Sequence, residues 1–321
     1  MKGLSKDSAS WHEVEVEAAG QRVDNYLTKR LKGVPKSHIY RILRNGEVRV
    51  NSRRIKPDYR VEAGDRLRLP PMRVAAPAAG KAAPPGKLKA AVLYEDDVLL
   101  VIDKPAGSAV HGGSGISHGV IEQLRHERPE AHYLELVHRL DRETSGVLML
   151  AKRRSALTEL HRQLREGKVL KLYSALVKGE WRDQKRSVKL PLHKYVLDSG
   201  ERRVSVNRDG MAAHTEFRLR GSWSGFSLVE AELKTGRTHQ IRVHLAHIGH
   251  PVAGDDKYGD FPLNKELARR GLKRMFLHAF KAVIRHPRSG EMLELEAPLP
   301  ADLKKFLATL DAGEAPRAQE F

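Results

Sequence analysis

An aspartate between two arginines stands in a polar segment that separates two apolar runs. The stretch is ELVHRLDRETSGVLMLAK at 135–152, with Asp141 between Arg139 and Arg142. Nearby cations favour the ionised form of a carboxyl group, which can then act as a nucleophile or a base. Glu143 lies in the same segment, and spacing alone selects neither carboxylate. Taken alone, the stretch is explained more simply by a structural ion pair at a strand end.

A second stretch, LKTGRTHQIRVHLAHIGHPVAGDDKYGD at 233–260, combines basic residues with a helical pattern. It predicts a helix that begins near Thr238 and ends at Gly249. Arg237 and Arg242 lie near its start, where either could pair with a carboxylate from another loop. By spacing alone, an ordinary amphipathic helix is the simpler interpretation. Its predicted apolar face consists of Ile241, Leu245 and Ile248.

Three other patterns resemble functional motifs but lack what the chemistry requires. GISHG at 115–119 places Ser117 in a G-x-S-x-G pattern, yet a glycine-rich loop precedes it instead of a buried strand. GKAAPPGK at 80–87 resembles a phosphate loop, but its prolines remove backbone N–H donors. Four histidines have no common metal-ligand spacing, which favours a helix face in contact with RNA or other polar groups. They are His239, His244, His247 and His250.

Composition restricts the class of protein. The 321 residues carry 58 Lys and Arg against 40 Asp and Glu, a net charge of +18 that points to a polyanionic partner. The absence of cysteine excludes disulfides, thiolate nucleophiles and Cys-ligated zinc or iron–sulfur clusters. Apolar runs are strand-sized, and the first residues lack the apolar region of a signal peptide. We therefore expect a cytoplasmic protein without a membrane span, of about two domains.

The stretch MRVAAPAAGKAAPPGKLK at 72–89 predicts a flexible linker, because it is rich in Ala, Pro, Gly and Lys and has no apolar period. It would separate a small module at 1–71, with its core from about residue 13, from a large module at 90–311. The last residues, 312–321, predict a frayed tail.

The small module concentrates positive charge. Between Arg22 and Lys56 there are eleven Lys and Arg against two acids, which suits contact with phosphates. A solvated basic surface without a ligand is the alternative. The pattern predicts a helix at 22–31, a second helix at 38–46 capped by Ser37, a hairpin at 48–55 and a strand at 61–70.

The large module has many predicted strands and few helices, which indicates a mixed, mainly antiparallel α+β sheet with flanking helices. The predicted strands are 98–103, 134–138, 146–151, 172–179, 214–220, 227–234, 276–284 and 292–297. The predicted helices are 119–128, 155–166, 238–249 and 301–310.

The segment GVPKSHIYRILRNGEVRVNSRRIKP at 33–57 resembles the S4 RNA-binding domain. The resemblance implies docking on structured RNA through shape and phosphate contacts instead of a base code. The residues expected to contact RNA are Arg22, Lys36, Arg41, Arg44, Arg49, Arg53 and Arg54.

HRLDRETSG, KLYSALVKG and GRTHQIRVHLAHIGHPVAGDDKYGD, in this order behind an S4-like module, resemble the RluA-type pseudouridine synthase family. The similarity runs from about residue 13 to 310. It implies an isomerase that detaches uracil from its ribose in RNA, turns it and rejoins it through carbon 5. This reaction needs no cofactor and no metal. With this resemblance, both stretches are interpreted as parts of an active site instead of a structural ion pair and an ordinary amphipathic helix.

The resemblance also implies roles for single residues. Asp141 matches the catalytic aspartate, Tyr173 a tyrosine that stacks on uracil, and Arg242 the basic residue that pairs with the aspartate. Three further positions match substrate-binding residues. Leu277 would pack against the base, Arg139 would fill the gap left by the flipped uridine, and His138 would shape the loop.

Within the family, GVPKSHIYRILRNGEVRVN and AVHGGSG favour one type of large-subunit enzyme over a second type. The implied partner is 23S ribosomal RNA or an assembly intermediate of it, and a monomer is the default state. A non-catalytic RNA-binding factor for ribosome assembly is the remaining alternative. The modified uridines, the assembly stage and the chemical step of Asp141 stay open.

Overall fold

The computed structural model describes residues 8–31, 34–72, 86, 88–112 and 118–313. The chain divides into two compact units, Met1–Ala83 and Pro84–Phe321. The predicted linker at 72–89 spans this division, and most of its residues, like nearly all of the predicted tail at 312–321, lie outside the described ones. The domain boundaries therefore stay predictions.

The small unit is a four-stranded antiparallel sheet with two helices. Its strands are ordered β1-β4-β2-β3. Apolar residues of both helices and of the sheet form one buried cluster that includes Leu27, Ile39, Leu43 and Leu67. The elements are β1 (Ser10–Glu13), a 3-10 turn (Val16–Ala18), α1 (Val23–Arg30), α2 (Lys36–Arg44), β2 (Arg49–Val50), β3 (Arg53–Arg54) and β4 (Arg66–Leu69).

The predicted helices, hairpin and strand of the small module are present, but the predicted cap is wrong. Helix α2 begins at Lys36 after Pro35, so Ser37 lies inside the first turn and its side chain does not cap the helix. Pro35 holds the N-cap position with φ −58° and ψ 141°, and it has no side-chain oxygen that could cap the helix. Gly46 follows the helix with φ +70, a conformation that favours glycine, and ends it as expected.

The large unit is built on a ten-stranded mixed sheet with the path β10-β13-β14-β9-β15-β8-β6-β5, to which β16 and β7 pair at β15 and β8. Its strands are β5 (Val92–Glu95), β6 (Leu99–Lys104), β7 (Glu135–Leu136), β8 (Ser145–Ala151), β9 (Leu170–Lys178), β10 (Lys185–Val188), β11 (Leu192–Val196), β12 (Arg202–Val206), β13 (Thr215–Trp223), β14 (Phe226–Leu233), β15 (Leu277–Arg285) and β16 (Met292–Glu296). Its helices are α3 (Val120–Glu127), α4 (Arg154–Arg165), α5 (Gln240–His247), α6 (Phe261–Arg269) and α7 (Ala301–Gly313).

Apolar side chains cover both faces of the central strands. In β8, Leu148 and Leu150 pack in one buried cluster, whereas Val147 and Met149 pack in another. A strand that is buried on both faces reads as a continuous apolar run, and the run at 146–151 has this property. Most strand pairs are antiparallel, with β8 and β15 parallel to each other. The predicted α+β class is confirmed.

Gly146 allows strands β8 and β15 to approach closely, directly after the polar loop that contains Asp141. Its φ is +112, and a Cβ atom there would overlap the backbone carbonyl of Ala279. A residue without a side chain is therefore required at this position. The requirement fixes the position at which the loop returns to the sheet.

Five strands and one helix were not predicted. Strands β1, β5, β10, β11 and β12 have only four or five residues each, most of them polar outside β5, and β11 and β12 form a separate two-stranded hairpin. Polar residues in short strands give no strong periodic signal. The unpredicted helix is α6, and Asp260 directly before it is the N-cap, whose side chain accepts a hydrogen bond from the backbone N–H of Leu263.

Candidate active site

Asp141 lies in the loop that leads into β8. Leu140 and Thr144, on either side of it, are buried and anchor the loop, while the Asp141 side chain stays 18% exposed. Buried Lys104, at the end of β6, donates from Nζ to the backbone carbonyl of Arg142 at 3.1 Å. The loop that carries the carboxylate is thus fixed from the neighbouring strand.

Arg242 contacts Asp141 from helix α5. Its Nη1 donates to Asp141 Oδ2 at 3.2 Å, and its Nε and Nη2 donate to the two carboxylate oxygens of Asp255 at 2.7 Å each. The arginine side chain is 3% exposed and that of Asp255 is 0% exposed. A planar guanidinium held by a bidentate pair has a fixed orientation, so it presents Nη1 to Asp141 in one direction.

The buried pair stays charged. Burial alone would raise the pKa of Asp255, but hydrogen bonds and charge from Arg242, with two backbone N–H donors, lower it below its ordinary value. The pKa of Arg242 is raised despite its burial, because Asp255 and Asp141 surround it. Asp141 therefore faces a permanent positive charge.

Tyr173 of β9 and Leu277 of β15 form the apolar part of the same cavity, which has a volume of about 670 Å³. Both side chains are almost fully buried. Burial and the nearby charge of Asp141 raise the pKa of Tyr173, so its hydroxyl stays protonated at neutral pH. A flat ring and an aliphatic side chain beside a carboxylate make a cavity that suits a planar base.

His138 and Arg139 line the cavity from the loop before Asp141. The backbone N–H of Met149 donates to Nε2 of His138 at 3.1 Å, which ties the ring to β8. Burial, with a contribution from Lys171, lowers the pKa of His138 to about 4. Arg139 is exposed, so its guanidinium is available to an incoming ligand.

The structure distinguishes between the pairs that spacing left open. Asp141 lines the cavity, whereas Glu143 is not among its lining residues and pairs with Arg142 at 3.3 Å. Of the two arginines near the start of α5, Arg242 reaches the carboxylate, and Arg237 donates to the backbone carbonyl of Ala212. Charge and spacing along the chain could not show which carboxylate and which arginine meet in the cavity.

The interpretation of α5 as an ordinary amphipathic helix is wrong. It begins at Gln240, two residues after the expected start, and its first six residues are buried all round. His244 is a buried structural residue that contacts Thr215 Oγ1 and the carbonyl of Leu190, each at 2.9 Å. In the described part of the chain no group of three or more His, Cys, Asp or Glu could hold a metal ion. The serine pattern at 115–119 falls largely outside the described residues.

Three site residues were missed by sequence reasoning. Asp255 holds Arg242 through two hydrogen bonds. The ring centroid of Tyr258 lies 5.2 Å from Cζ of Arg242, and Nε2 of His239 lies 3.9 Å from Oδ1 of Asp141. For Asp255 and Tyr258 the signal in the sequence was the acidic and aromatic segment GDDKYGD at 254–260, shortly after the predicted helix. Pairing between this segment and Arg242 depends on the turn at 249–254, which spacing does not reveal.

The basic residues of the small unit are on its surface. All seven predicted RNA-contacting residues are exposed. Arg22 is bound to the buried carboxylate of Asp24 at 2.7 Å, and Arg54 donates to the carbonyl of Arg44. The other predicted residues form no ion pair with a carboxylate within the described part of the chain. They are Lys36, Arg41, Arg44, Arg49 and Arg53.

Comparison with known proteins places this chain in a family. The model of the RNA pseudouridylate synthase family matches residues 98–247, and that of the S4 domain matches residues 21–67. The "Ribosomal large subunit pseudouridine synthase C" of Pasteurella multocida (strain Pm70) is 53% identical, over 92% of each chain. The protein of the same name from Escherichia coli (strain K12) is 53% identical, over 92% of this chain and 95% of its own.

The chain belongs to the RluA-type family of RNA pseudouridine synthases. The fold agrees, because the solved structure of "Human RNA Pseudouridylate Synthase Domain Containing 4" matches with a TM-score of 0.56 and 28% identity, over 68% of this chain and 92% of that one. The predicted family, the enzyme class and the S4 domain are confirmed. RNA is accordingly the substrate class of this enzyme. The described residues contain no helix long and apolar enough to cross a membrane.

Proposed function

We propose that this pseudouridine synthase isomerises specific uridines of 23S ribosomal RNA, with Asp141 as its catalytic carboxylate. The observation that carries the proposal is the contact of Asp141 with buried Arg242 in the wall of a cavity that Tyr173 and Leu277 line. The two relatives named above are large-subunit enzymes of type C by name, and the proposal assigns the same type to this chain. The type D enzyme is the alternative.

The reaction is an isomerisation, so the cavity has to orient groups without supplying a reagent. The bond between uracil N1 and the ribose breaks, the base turns, and a bond forms between C5 and the same sugar carbon. The proton on C5 is lost, and N1 gains one. In the proposed site Asp141 contacts the sugar at the breaking bond, and Arg242 keeps the carboxylate oriented.

The base itself would lie against Tyr173 and Leu277, whose buried side chains form the apolar part of the cavity wall. A uridine in folded RNA reaches this cavity after it leaves its stack, at a cost of a few kcal/mol. Exposed Arg139 is placed to offset part of that cost by stacking in the gap. His138 holds the loop through its contact with the backbone of Met149.

The S4 unit supplies the affinity for RNA in this proposal. Its exposed, carboxylate-free arginines Arg41, Arg44, Arg49 and Arg53 suit phosphate contacts, as does Lys36. Arg22 and Arg54 contribute less, because their guanidinium groups already have partners. We expect the enzyme to act as a monomer in the cytoplasm, without a cofactor or metal.

The test is release of tritium from 23S ribosomal RNA transcribed with uridine labelled at carbon 5. We expect release by the wild-type chain and a loss of more than about 10³-fold for Asp141→Asn, which removes one charge and little volume. The control is Glu143→Gln, a carboxylate two residues away that does not line the cavity, with activity within about threefold of wild type.

The results separate the alternatives. Mapping of the modified uridines distinguishes a type C from a type D enzyme. Turnover by Asp141→Asn near the wild-type rate would refute the assignment of the catalytic carboxylate. Binding of 23S ribosomal RNA and of its assembly intermediates without release from any of them would identify a non-catalytic RNA-binding factor.

A further inference from the structure

The turn from Asp255 to Tyr258 holds two side chains that converge on Asp141. Asp255 holds Arg242, which contacts Asp141 Oδ2. The hydroxyl of Tyr258 contacts Nδ1 of His239 at 2.7 Å, and Nε2 of the same ring lies 3.9 Å from Asp141 Oδ1. The two oxygens of the carboxylate thus face two different nitrogen groups, each held from the same turn.

His239 has a backbone conformation that a histidine seldom adopts. Its φ and ψ are 53° and 21°, in the left-handed region, at the N-cap of α5. Such a conformation costs about 1–3 kcal/mol and persists where the surrounding structure determines it. Here it directs the imidazole into the cavity, which His239 lines. An N-cap residue usually has extended φ and ψ, so capping the helix does not explain the left-handed backbone of His239.

Hydrogen bonding around Tyr258 favours one tautomer of the ring. The backbone N–H of Val204 in β12 donates to the Tyr258 oxygen at 2.9 Å, so the tyrosine proton is free to point toward His239. Nδ1 of His239 then accepts a hydrogen bond from the Tyr258 hydroxyl. Burial lowers the pKa of His239, although the charge of Asp141 opposes this, so the ring is neutral at neutral pH. A neutral imidazole that accepts at Nδ1 carries its own proton on Nε2, toward Asp141.

We propose that His239 is a positioning residue for the catalytic carboxylate, with its Nε2–H directed at Asp141 Oδ1 and its tautomer fixed by Tyr258. The inference rests on the proposed role of Asp141. The present distance of 3.9 Å exceeds a hydrogen bond by about 1 Å, and contacts of this kind often shorten when substrate binds. With Arg242 on the other oxygen, the carboxylate would then be held at both of its oxygens when it meets the sugar.

A matched pair of substitutions tests the proposal. In His239→Gln the amide reaches the position of Nε2, whereas in His239→Asn the shorter amide reaches only the position of Nδ1 and tolerates the left-handed backbone better. A misplacement of about 1 Å in a reacting group costs up to about 10²-fold. We therefore expect single-turnover tritium release within about fivefold of wild type for His239→Gln and a loss of about 10–100-fold for His239→Asn, with similar RNA affinity for both.

Tyr258→Phe provides the second measurement, because it removes the group that fixes the tautomer. We expect it to lower the rate about 3–10-fold in the wild-type background and to have no further effect in the His239→Gln background, whose amide has no tautomers. Thermal unfolding of each variant shows whether it folds.

Equal rates for His239→Gln and His239→Asn, or an equal effect of Tyr258→Phe in both backgrounds, would overturn the proposal. Loss of activity in every variant together with a lowered unfolding temperature would assign His239 a structural role and also overturn it. These outcomes are distinct from failure of the proposed function, which would appear as no tritium release by wild type or as an active Asp141→Asn.

Discussion

The two units of the chain use arginine in opposite ways. Arg242 in the large unit is 3% exposed and touches three carboxylates, those of Asp141, Asp255 and Asp256. Arg44 and Arg49 in the small unit are exposed and form no ion pair with any carboxylate in the described part of the chain. Arginine is thus a fixed part of the candidate site in the large unit, and an exposed cation without a carboxylate partner in the small unit.

The difference follows from burial. A buried guanidinium has to be paired, and the pairing leaves one N–H direction available, so Arg242 can orient a carboxylate but cannot search for a ligand. An exposed, unpaired guanidinium keeps its rotamers and its solvent shell, so it can bind phosphates of many geometries. Substitutions in the large unit should therefore disturb the orientation of the carboxylate, whereas substitutions in the small unit should weaken the affinity for RNA, and neither should affect the other property.

Arg242→Met should give the largest effect on stability, because it leaves the carboxylate of Asp255 buried without its partner. Breaking a buried ion pair from one side costs about 3–5 kcal/mol in free energy of unfolding. The measurement is urea-induced unfolding followed by the fluorescence of Trp181 and Trp223, in a Trp11→Phe background so that the signal reports on the large unit. Arg208→Met, the matched change at an exposed arginine of the large unit that forms no ion pair among the described residues, should stay within about 0.5 kcal/mol. If Arg242→Met lowered the free energy of unfolding by less than about 1 kcal/mol, the distinction between a buried, paired arginine and an exposed one would be refuted.

The second prediction concerns RNA affinity. Neutralising Arg41, Arg44 and Arg53 together to Gln should weaken binding of 23S ribosomal RNA. If each contacts one phosphate, the slope of log affinity against log salt should fall by about 2–3. Filter binding at several salt concentrations measures it. The control is Arg162→Gln, an exposed arginine that is already paired with Glu159 and Glu166, which should leave the slope unchanged. An unchanged slope in the triple variant would remove the small unit from RNA binding.

A smaller effect is expected from pH. The pKa of His138 falls from the ordinary 6.5 to about 4 in the folded protein. Between these values the unfolded chain binds a proton that the folded chain does not, so stability falls as the pH is lowered from 6.5 toward 4. We expect His138 to contribute about 1–2 kcal/mol of destabilisation from pH 7 to pH 5. The difference in urea stability between wild type and His138→Gln at the two pH values isolates this contribution, and a constant difference would contradict it.

Much of the fold was predictable because the periodic patterns are strong where burial is complete. The run at 146–151 is buried on both faces of the sheet and was predicted as a strand, and it is β8. The hairpin of β11 and β12 was missed, because four of the five residues of β11 are exposed and carry no apolar alternation. Helix α5 was predicted with the wrong character, because burial on all sides depends on elements distant in sequence.

The candidate site was predictable only where a motif carries the chemistry. Asp141, Tyr173 and Arg242 were assigned through family resemblance, and the structure brings all three to one cavity. Asp255, Tyr258 and His239 escaped prediction, because their importance lies in contacts and in one left-handed backbone conformation. Spacing along the chain contains neither kind of information.

The most direct test of the central claim compares Asp141→Asn with the triple arginine variant on the same tritiated 23S ribosomal RNA. Single-turnover release at saturating enzyme gives the chemical step, and its dependence on enzyme concentration gives the affinity. We predict that Asp141→Asn binds within about threefold of wild type and releases less than a thousandth as fast, whereas the triple variant binds more weakly and reaches the wild-type rate at saturation. A triple variant with a slowed rate at saturation, or an Asp141→Asn variant with weakened binding and a normal rate, would contradict the division of labour between the two units.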